Sequence, residues 1–155
     1  MEPADIDQDL AALVSPHLAA TGGPITALRQ VAARYGHINK KQIEQVAWQF
    51  NLSQAEVKGV ASFYDDLFVT PQGRHRVRVC TAEACQSVGA GAVLAACEDA
   101  AGLTGEGTTA DGNITLQPVA CLGLCACGPA AMIDGKLLGR VTETAIRDAI
   151  AALGE

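Results

Sequence analysis

Six cysteines in a chain of 155 residues constrain the fold and chemistry of this protein more than any other feature of its sequence. The first ten residues carry four acidic and no basic side chains, unlike a secretory signal or a transit peptide. We therefore expect a protein of a reducing compartment, the bacterial cytoplasm, where disulfides are rare. In that setting the cysteines indicate metal binding or redox chemistry. They are Cys80, Cys85, Cys97, Cys121, Cys125 and Cys127.

The net charge and hydropathy of the chain indicate which kinds of partner it is not expected to bind. The 17 acidic and 11 basic side chains give a net charge of −6, with histidine neutral. Broad nucleic-acid binding needs a basic face instead. No apolar run of the sequence approaches the roughly 20 residues of a membrane-spanning helix. We therefore expect neither nucleic-acid binding nor direct membrane insertion.

The first half of the chain has the apolar spacing of helices. Apolar side chains recur every three to four residues over 25–35 and over 40–50, as one helix face requires. Ser53 and Glu56 form a capping-box sequence, which predicts a third helix that runs into Phe63. The sequence therefore predicts three helices before residue 70.

A chain-breaking run, Thr70-Pro71-Gln72-Gly73, marks the expected boundary between two domains. We predict a helical domain over residues 1–72 and a mixed helix and sheet domain over residues 73–155. Its expected elements are strands over 75–80 and 114–119, a helix over 88–101, a hairpin of 131–133 and 137–141 around Asp134-Gly135, and a last helix capped by Thr142.

Four of the cysteines form two pairs, Cys80-x4-Cys85 and Cys121-x3-Cys125. Each pair begins where a predicted strand ends, so both pairs are expected on loops at one end of the sheet. Structural zinc sites more often use cysteines separated by two residues. The wider spacings favour a [2Fe–2S] cluster, and zinc or unliganded structural thiols remain alternatives.

The other two cysteines have different expected roles. Cys97 falls inside an alanine-rich helical segment and is expected to be a small buried hydrophobe. Cys127 is two residues from Cys125 and is expected to lie beside the ligands rather than among them. Gly123 and Gly128 could let the backbone come close to the sulfurs, where amides can donate to them, and plain turn geometry is the alternative role of these glycines. The chain has no Cys-x-x-Cys sequence, so thioredoxin-type dithiol chemistry is disfavoured.

The cysteine pairs occur in the runs Val79-Cys80-Thr81-Ala82-Glu83-Ala84-Cys85 and Cys121-Leu122-Gly123-Leu124-Cys125, the second followed by Gly128-Pro129. Tyr35-Gly36-His37-Ile38 and Val60-Ala61-Ser62-Phe63-Tyr64 precede them. Together these runs resemble the thioredoxin-like [2Fe–2S] ferredoxin family over about residues 24–142. That family includes the 24-kDa-type subunit of complex I and its relatives in NAD-reducing hydrogenases and NAD-dependent formate dehydrogenases.

The resemblance implies an α+β fold, with an N-terminal three-helix bundle followed by a thioredoxin-like α/β domain. It implies that Cys80, Cys85, Cys121 and Cys125 ligate one [2Fe–2S] cluster. It further implies a non-catalytic electron-transfer subunit that lies next to the FMN of a partner flavoprotein. That partner binds FMN and NAD, and a larger catalytic subunit is expected in the same complex.

The run from Ala82 to Ala90 looks most like the gamma subunit of soluble NAD-dependent formate dehydrogenases. The equivalent subunit of complex I or of a NAD-reducing hydrogenase is the alternative. The Val60–Phe68 run could supply a surface for a partner, although Val60 and Phe63 are first expected in the core. No NAD site is expected in this chain, because Gly105-x-Gly107-x-x-Ala110 does not join a strand to a helix.

A rival from another class is an iron–sulfur or zinc regulator that binds DNA. The Tyr35–Tyr64 segment reads as helix, turn, helix, and it contains Lys40, Lys41 and Lys58. The acidic net charge and the lack of clustered arginine or asparagine on the third helix argue against this class.

Overall fold

The computed structural model describes residues 6–64 and 66–154, which fall into two compact units, Met1–Pro71 and Gln72–Glu155. The first five residues of the acidic N-terminal stretch lie outside the described part, as does Asp65 within the Val60–Phe68 run.

The N-terminal unit is helical. The three predicted helices are present, and a fourth, shorter helix precedes them. The helices are α1 (Gln8–Val14), α2 (Gly23–Tyr35), α3 (Lys40–Phe50) and α4 (Gln54–Phe63), and a 3-10 turn (Ser15–His17) follows α1. Sequence periodicity missed α1 because seven residues are barely two turns.

Local signals fix the ends of these helices. Gly36 ends α2 with a φ of 78°, a left-handed conformation in which a residue without a Cβ is favoured. Ser53 and Glu56 form the predicted capping box at the start of α4. The side chain of buried Gln45 holds the start of α1, because it donates to the Asp7 carbonyl at 2.7 Å and accepts from the Asp7 amide at 2.9 Å.

The core of this unit lies between the four helices. Its buried side chains come from every helix and from the segments that follow α2 and α4. They are Leu10, Val14, Ala27, Leu28, Val31, Ile38, Ile43, Val46, Ala47, Val57, Ala61 and Leu67. Val60 packs against this core, as expected, whereas Phe63 is 77% exposed.

The C-terminal unit is a five-stranded sheet with helices. Its strands are β1 (His75–Cys80), β2 (Gly107–Thr108), β3 (Ile114–Val119), β4 (Ala131–Ile133) and β5 (Lys136–Leu138). Its helices are α5 (Glu83–Gln86), α6 (Ala90–Ala101) and α7 (Glu143–Ala152), and a 3-10 turn spans Cys125–Cys127. The spatial order of the strands is β2-β3-β1-β4-β5, in which β1 and β3 are parallel and the other pairs are antiparallel.

Three boundaries differ from the sequence-based prediction. The helix predicted over 88–101 begins at Ala90, after the separate helical turn α5. Residues 102–113, which are rich in glycine and threonine and predicted to form a loop, contain the two-residue strand β2. The last strand ends at Leu138 rather than at residue 141, because Arg140 adopts a φ of 51° that leaves the extended conformation.

The central β1–β3 pair determines where the cysteine loops lie. Parallel pairing sets Cys80 opposite Val119, so both strands end at the same edge of the sheet. Side chains of β1, α6 and α7, among them Val77, Val93 and Ile146, pack into one core. Within the described residues, no helix is long and apolar enough to cross a membrane.

Packing in the N-terminal core gives a stability prediction. We expect Leu28→Ala to destabilise this unit by about 2–5 kcal/mol, because Leu28 is fully buried and its truncation leaves a cavity. Urea unfolding followed by the fluorescence of Trp48, the single tryptophan of the chain, measures this effect. Leu18→Ala is the matched control, since Leu18 is 43% exposed and its loss should change the free energy of unfolding by less than about 0.5 kcal/mol. Equal effects of the two substitutions would contradict the packing described here.

Candidate metal centre

Two loops that carry the paired cysteines meet at one edge of the sheet. Cys80 is the last residue of β1, and its amide donates to the Ala130 carbonyl at 3.0 Å. The next amide, of Thr81, donates to the Val119 carbonyl at 2.8 Å. Cys121 follows only two residues beyond Val119, so the ends of β1 and β3 bring the first and second pairs together.

The first pair is buried. Cys80 is 2% exposed and Cys85 is fully buried. Cys85 lies in the single turn α5, where its amide donates to the Ala82 carbonyl at 2.9 Å. Sequence reasoning missed α5 because four residues show no periodicity. This turn nevertheless sets the direction of the Cys85 thiol.

The buried thiols have opposite pKa shifts. Burial of the Cys80 thiol disfavours its anion, but hydrogen bonds outweigh this effect and lower its pKa. The donors are the Ala82 amide, the Cys85 thiol, the Leu122 amide and the Cys121 thiol. Burial raises the pKa of Cys85, and the thiol hydrogen bond to Cys80 and the charges of Cys80 and Cys125 raise it further. These interactions link Cys80 to Cys85 and Cys121, and Cys85 to Cys125.

The second pair is exposed. Cys121 and Cys125 both reach the surface of the unit, and Cys125 opens a 3-10 turn. The Gly123 amide donates to the Cys121 sulfur at 3.3 Å. Gly123 has a φ of 74°, which a residue with a Cβ rarely adopts. The expected approach of a backbone amide to sulfur is therefore present at this glycine.

Gly128 makes the second expected approach, against the buried pair. A Cβ at this position would lie 3.3 Å from the Cys85 sulfur and 3.0 Å from a methyl carbon of Val88. The Gly128 backbone thus runs directly over the Cys85 thiol. Small apolar residues, including Ala90 and Ala130, complete the packing around Cys80 and Cys85.

The donor set fits a [2Fe–2S] cluster. Four free thiols, of Cys80, Cys85, Cys121 and Cys125, supply the soft ligands that iron–sulfur clusters use. Within the described residues, no three cysteine, histidine or acidic side chains are gathered tightly enough to hold a single ion. A [2Fe–2S] cluster does not need such a group, because each of its two irons takes two cysteines.

Cys97 and Cys127 lie in different surroundings. Cys97 lies in α6 and is fully buried in the core of the C-terminal unit, which confirms the expectation. Burial, followed by the charge of Glu98, raises the pKa of the Cys97 thiol to about 12. Cys127 is partly buried, and its carbonyl accepts from the Arg140 amide at 2.6 Å. A Cβ at Gly139 would lie 2.9 Å from the Cys127 Cβ. The contacts of Cys127 thus join it to the segment after β5.

Other candidate residues lie apart from this centre. His75 pairs with Asp134 at 2.8 Å, at the opposite end of β1 from Cys80. The Gly105-x-Gly107-x-x-Ala110 run lies between α6 and β3 and includes β2. It therefore lacks the strand-to-helix turn that a dinucleotide site needs.

The chain is similar in sequence to proteins of a known family. A family profile described as "Thioredoxin-like [2Fe-2S] ferredoxin" matches residues 11–154. The NADH-quinone oxidoreductase subunit designated E, from Pseudomonas aeruginosa, is 34% identical over 140 residues, which are 90% of this chain and 82% of that protein. Its counterpart from Escherichia coli (strain K12) is 36% identical over 122 residues, 79% of this chain and 74% of that protein.

A solved structure is also similar. The crystal structure of NAD+-reducing [NiFe]-hydrogenase in the H2-reduced state matches with a TM-score of 0.74 and 25% sequence identity. The match covers 85% of this chain but 22% of the hydrogenase chain. This chain therefore corresponds to less than a quarter of that polypeptide.

Differences in burial predict different thiol reactivities. In the cluster-free chain at about pH 8, iodoacetamide should alkylate exposed Cys121 and Cys125 while Cys97 stays unmodified. Cys97 is buried and has a pKa of about 12, so only about one molecule in ten thousand carries the reactive thiolate. Mass spectrometry of the digested protein measures the modification at each cysteine. The urea-unfolded chain is the control, in which all six should react; rapid alkylation of Cys97 in the folded chain would contradict its placement.

Proposed function

Because the chain belongs to the thioredoxin-like [2Fe–2S] ferredoxin family, we propose that it is an electron-transfer subunit in which Cys80, Cys85, Cys121 and Cys125 hold one [2Fe–2S] cluster. The observation that carries this proposal is that β1 and β3 end side by side, which brings the loops of both cysteine pairs to one edge of the sheet. When bound, such a cluster takes up and releases one electron at a time.

The residues around the thiols suit them to this role. The amides of Ala82 and Leu122 donate to Cys80, and the Gly123 amide donates to Cys121. Such N–H groups stabilise negative charge on sulfur, which raises the tendency of a bound cluster to accept an electron. Cys80 and Cys85 exclude water on the buried side. Exposed Cys121 and Cys125 leave the other side open to a partner.

The chain's own residues supply no acid–base chemistry in this proposal. We assign no catalytic residue, and we place FMN and NAD on a partner flavoprotein that this subunit contacts. A larger catalytic subunit completes the complex. The names of the relatives support this assignment, since they describe NADH-quinone oxidoreductases and a NAD+-reducing hydrogenase. Six free thiols are consistent with the proposed cytoplasmic location.

The identity of the complex is a finer proposal. The Ala82–Ala90 run favours the gamma subunit of a NAD-dependent formate dehydrogenase, and the matches with NADH-quinone oxidoreductase subunits and with the hydrogenase favour the two alternatives. Purification of the complex from its own cell and identification of its chains tests this directly. The complex should then reduce NAD with formate; hydrogen-dependent reduction of NAD, or quinone reduction by NADH, would select an alternative instead.

The proposed ligand assignment can be tested by substitution of each cysteine. Cys→Ser at Cys80, Cys85, Cys121 or Cys125 should each remove most of the iron and sulfide, because serine oxygen is a harder and poorer ligand for such a cluster. Iron and acid-labile sulfide, measured after anaerobic purification, quantify the loss.

Two cysteines of the same chain are matched controls for this series. Cys97→Ser and Cys127→Ala should retain two irons and the [2Fe–2S] electron paramagnetic resonance signal of the reduced protein. Full iron content in Cys121→Ser, or loss of the signal in Cys127→Ala, would show that Cys127 replaces one of the four proposed ligands.

An exposed aromatic pair is the proposed contact with the partner. Phe63 is 77% exposed, so its expected place in the core was wrong. Its ring packs edge-to-face on Tyr64 with the centroids 5.1 Å apart. The Arg29 guanidinium lies 5.8 Å from the centre of the Tyr64 ring and pairs with Asp66 at 2.8 Å. The large apolar ring of Phe63 is therefore exposed to solvent and packed against a neighbouring ring. Aromatic residues of this kind often anchor protein interfaces.

Truncation of this ring should weaken the complex. We expect Phe63→Ala to lower the affinity for the partner flavoprotein by about tenfold or more, since buried aromatic anchors contribute about 2 kcal/mol. Surface plasmon resonance against the purified flavoprotein measures this, while iron content should stay at the wild-type value. Leu18→Ala, at a leucine of the same unit that is 43% exposed, is the control. Unchanged affinity in Phe63→Ala would exclude this contact.

A further inference from the structure

A groove in the N-terminal unit has an apolar floor and a basic rim. It lies between the start of α3, the first half of α4 and the segment after α4, and its volume is about 480 Å³. Ala55 and Val69 supply the exposed apolar surface, with Val69 41% exposed, above the buried side chains of Ile38 and Ile43. Lys40 and Lys58 lie along the rim. We call this surface the lysine groove.

The charges on the rim are not neutralised by the described part of the chain. None of the three ion pairs between described residues involves Lys40 or Lys58. Glu56, on the same helix as Lys58, is already engaged, because its carboxylate accepts from the Ser53 amide and hydroxyl, both at 2.8 Å. Two cations therefore remain available to a ligand.

Most lysines of this acidic chain lie near the lysine groove. The net charge is −6, yet three of the four lysines lie within residues 40–58. An isolated small anion would contact the lysines but leave the apolar floor in water. A polypeptide segment with an apolar side chain between carboxylates satisfies both parts of the groove. Double-stranded nucleic acid fits less well, since it presents phosphates without an apolar side chain and meets an acidic protein.

We propose that the lysine groove docks an acidic segment of the partner flavoprotein. An apolar side chain of that segment covers Ala55 and Val69, and its aspartate or glutamate side chains pair with Lys40 and Lys58. This proposal rests on the proposed function in one respect, because it requires the partner flavoprotein. It does not depend on which cysteines hold the cluster.

Zero-length crosslinking of the purified complex tests the contact directly. A water-soluble carbodiimide joins a lysine amine to a carboxylate that already pairs with it and adds no spacer. We expect Lys40 and Lys58 to be joined to aspartate or glutamate residues of one partner segment, as identified by mass spectrometry of the digest. Lys41, which neighbours Lys40 but does not line the groove, should give few such products. Crosslinks of Lys40 and Lys58 only to carboxylates of this chain would overturn the proposal.

Charge reversal gives an independent measurement. The double variant Lys40→Glu/Lys58→Glu should bind the purified flavoprotein about tenfold or more weakly at low salt, and this difference should shrink as salt screens the charges. Lys41→Glu is the matched control and should change the affinity by less than about twofold. Equal affinities of the double variant and the control would overturn the proposal.

Two further readouts separate this proposal from its alternatives. The iron content of the double variant should equal that of the wild type, so loss of docking is distinguishable from loss of the cluster. A wild-type chain that binds no flavoprotein at all would contradict the proposed function rather than the groove alone. A labelled DNA duplex should not bind; tight binding that the double variant abolishes would show that the groove holds nucleic acid instead.

Discussion

The parallel pairing of β1 with β3 is the interaction on which the metal centre depends. It sets Cys80 opposite Val119, so β1 and β3 end at the same edge of the sheet. Cys85 follows the end of β1 and Cys121 follows the end of β3, so both lie on loops at that edge. A shift of one residue in this register would turn the Cys80 side chain to the other face of the sheet. The packing of Val77 and Val79 against α6 and α7 opposes such a shift, because their apolar side chains would then leave the core.

Burial and hydrogen bonding act against each other at this centre. Desolvation disfavours the thiolate of Cys80, and donors from Ala82 and Leu122 compensate for it. At the exposed side, the Gly123 amide donates a hydrogen bond to the Cys121 sulfur at 3.3 Å. These donors belong to the backbone of loops whose course is fixed by the sheet and by glycine conformations. The positions of the proposed ligands and the hydrogen-bond donors around their sulfurs therefore have one structural origin.

The two units carry different parts of the proposed function. The C-terminal unit contains the four cysteines, whereas the exposed Phe63 and the lysine groove belong to the N-terminal unit. Aromatic and basic surface of this kind is not needed to stabilise the helices, since their core is already closed by Leu28, Ile38 and other buried side chains. An electron-transfer subunit needs such a surface, because the rate of electron transfer depends on a defined position of the subunit beside its partner.

Most elements of the fold and the four candidate ligands could be predicted from the sequence. Apolar periodicity and capping residues such as Ser53 act over a few residues, so α2, α3, α4 and the central strands could be predicted locally. Periodicity could not reveal α1 or α5, which are too short, nor the end of β5, which depends on the conformation of Arg140. The exposure of Phe63 and the position of Lys40 and Lys58 beside one groove could not be predicted in this way. Both results depend on which helix faces pack together, and that packing joins residues far apart in the chain.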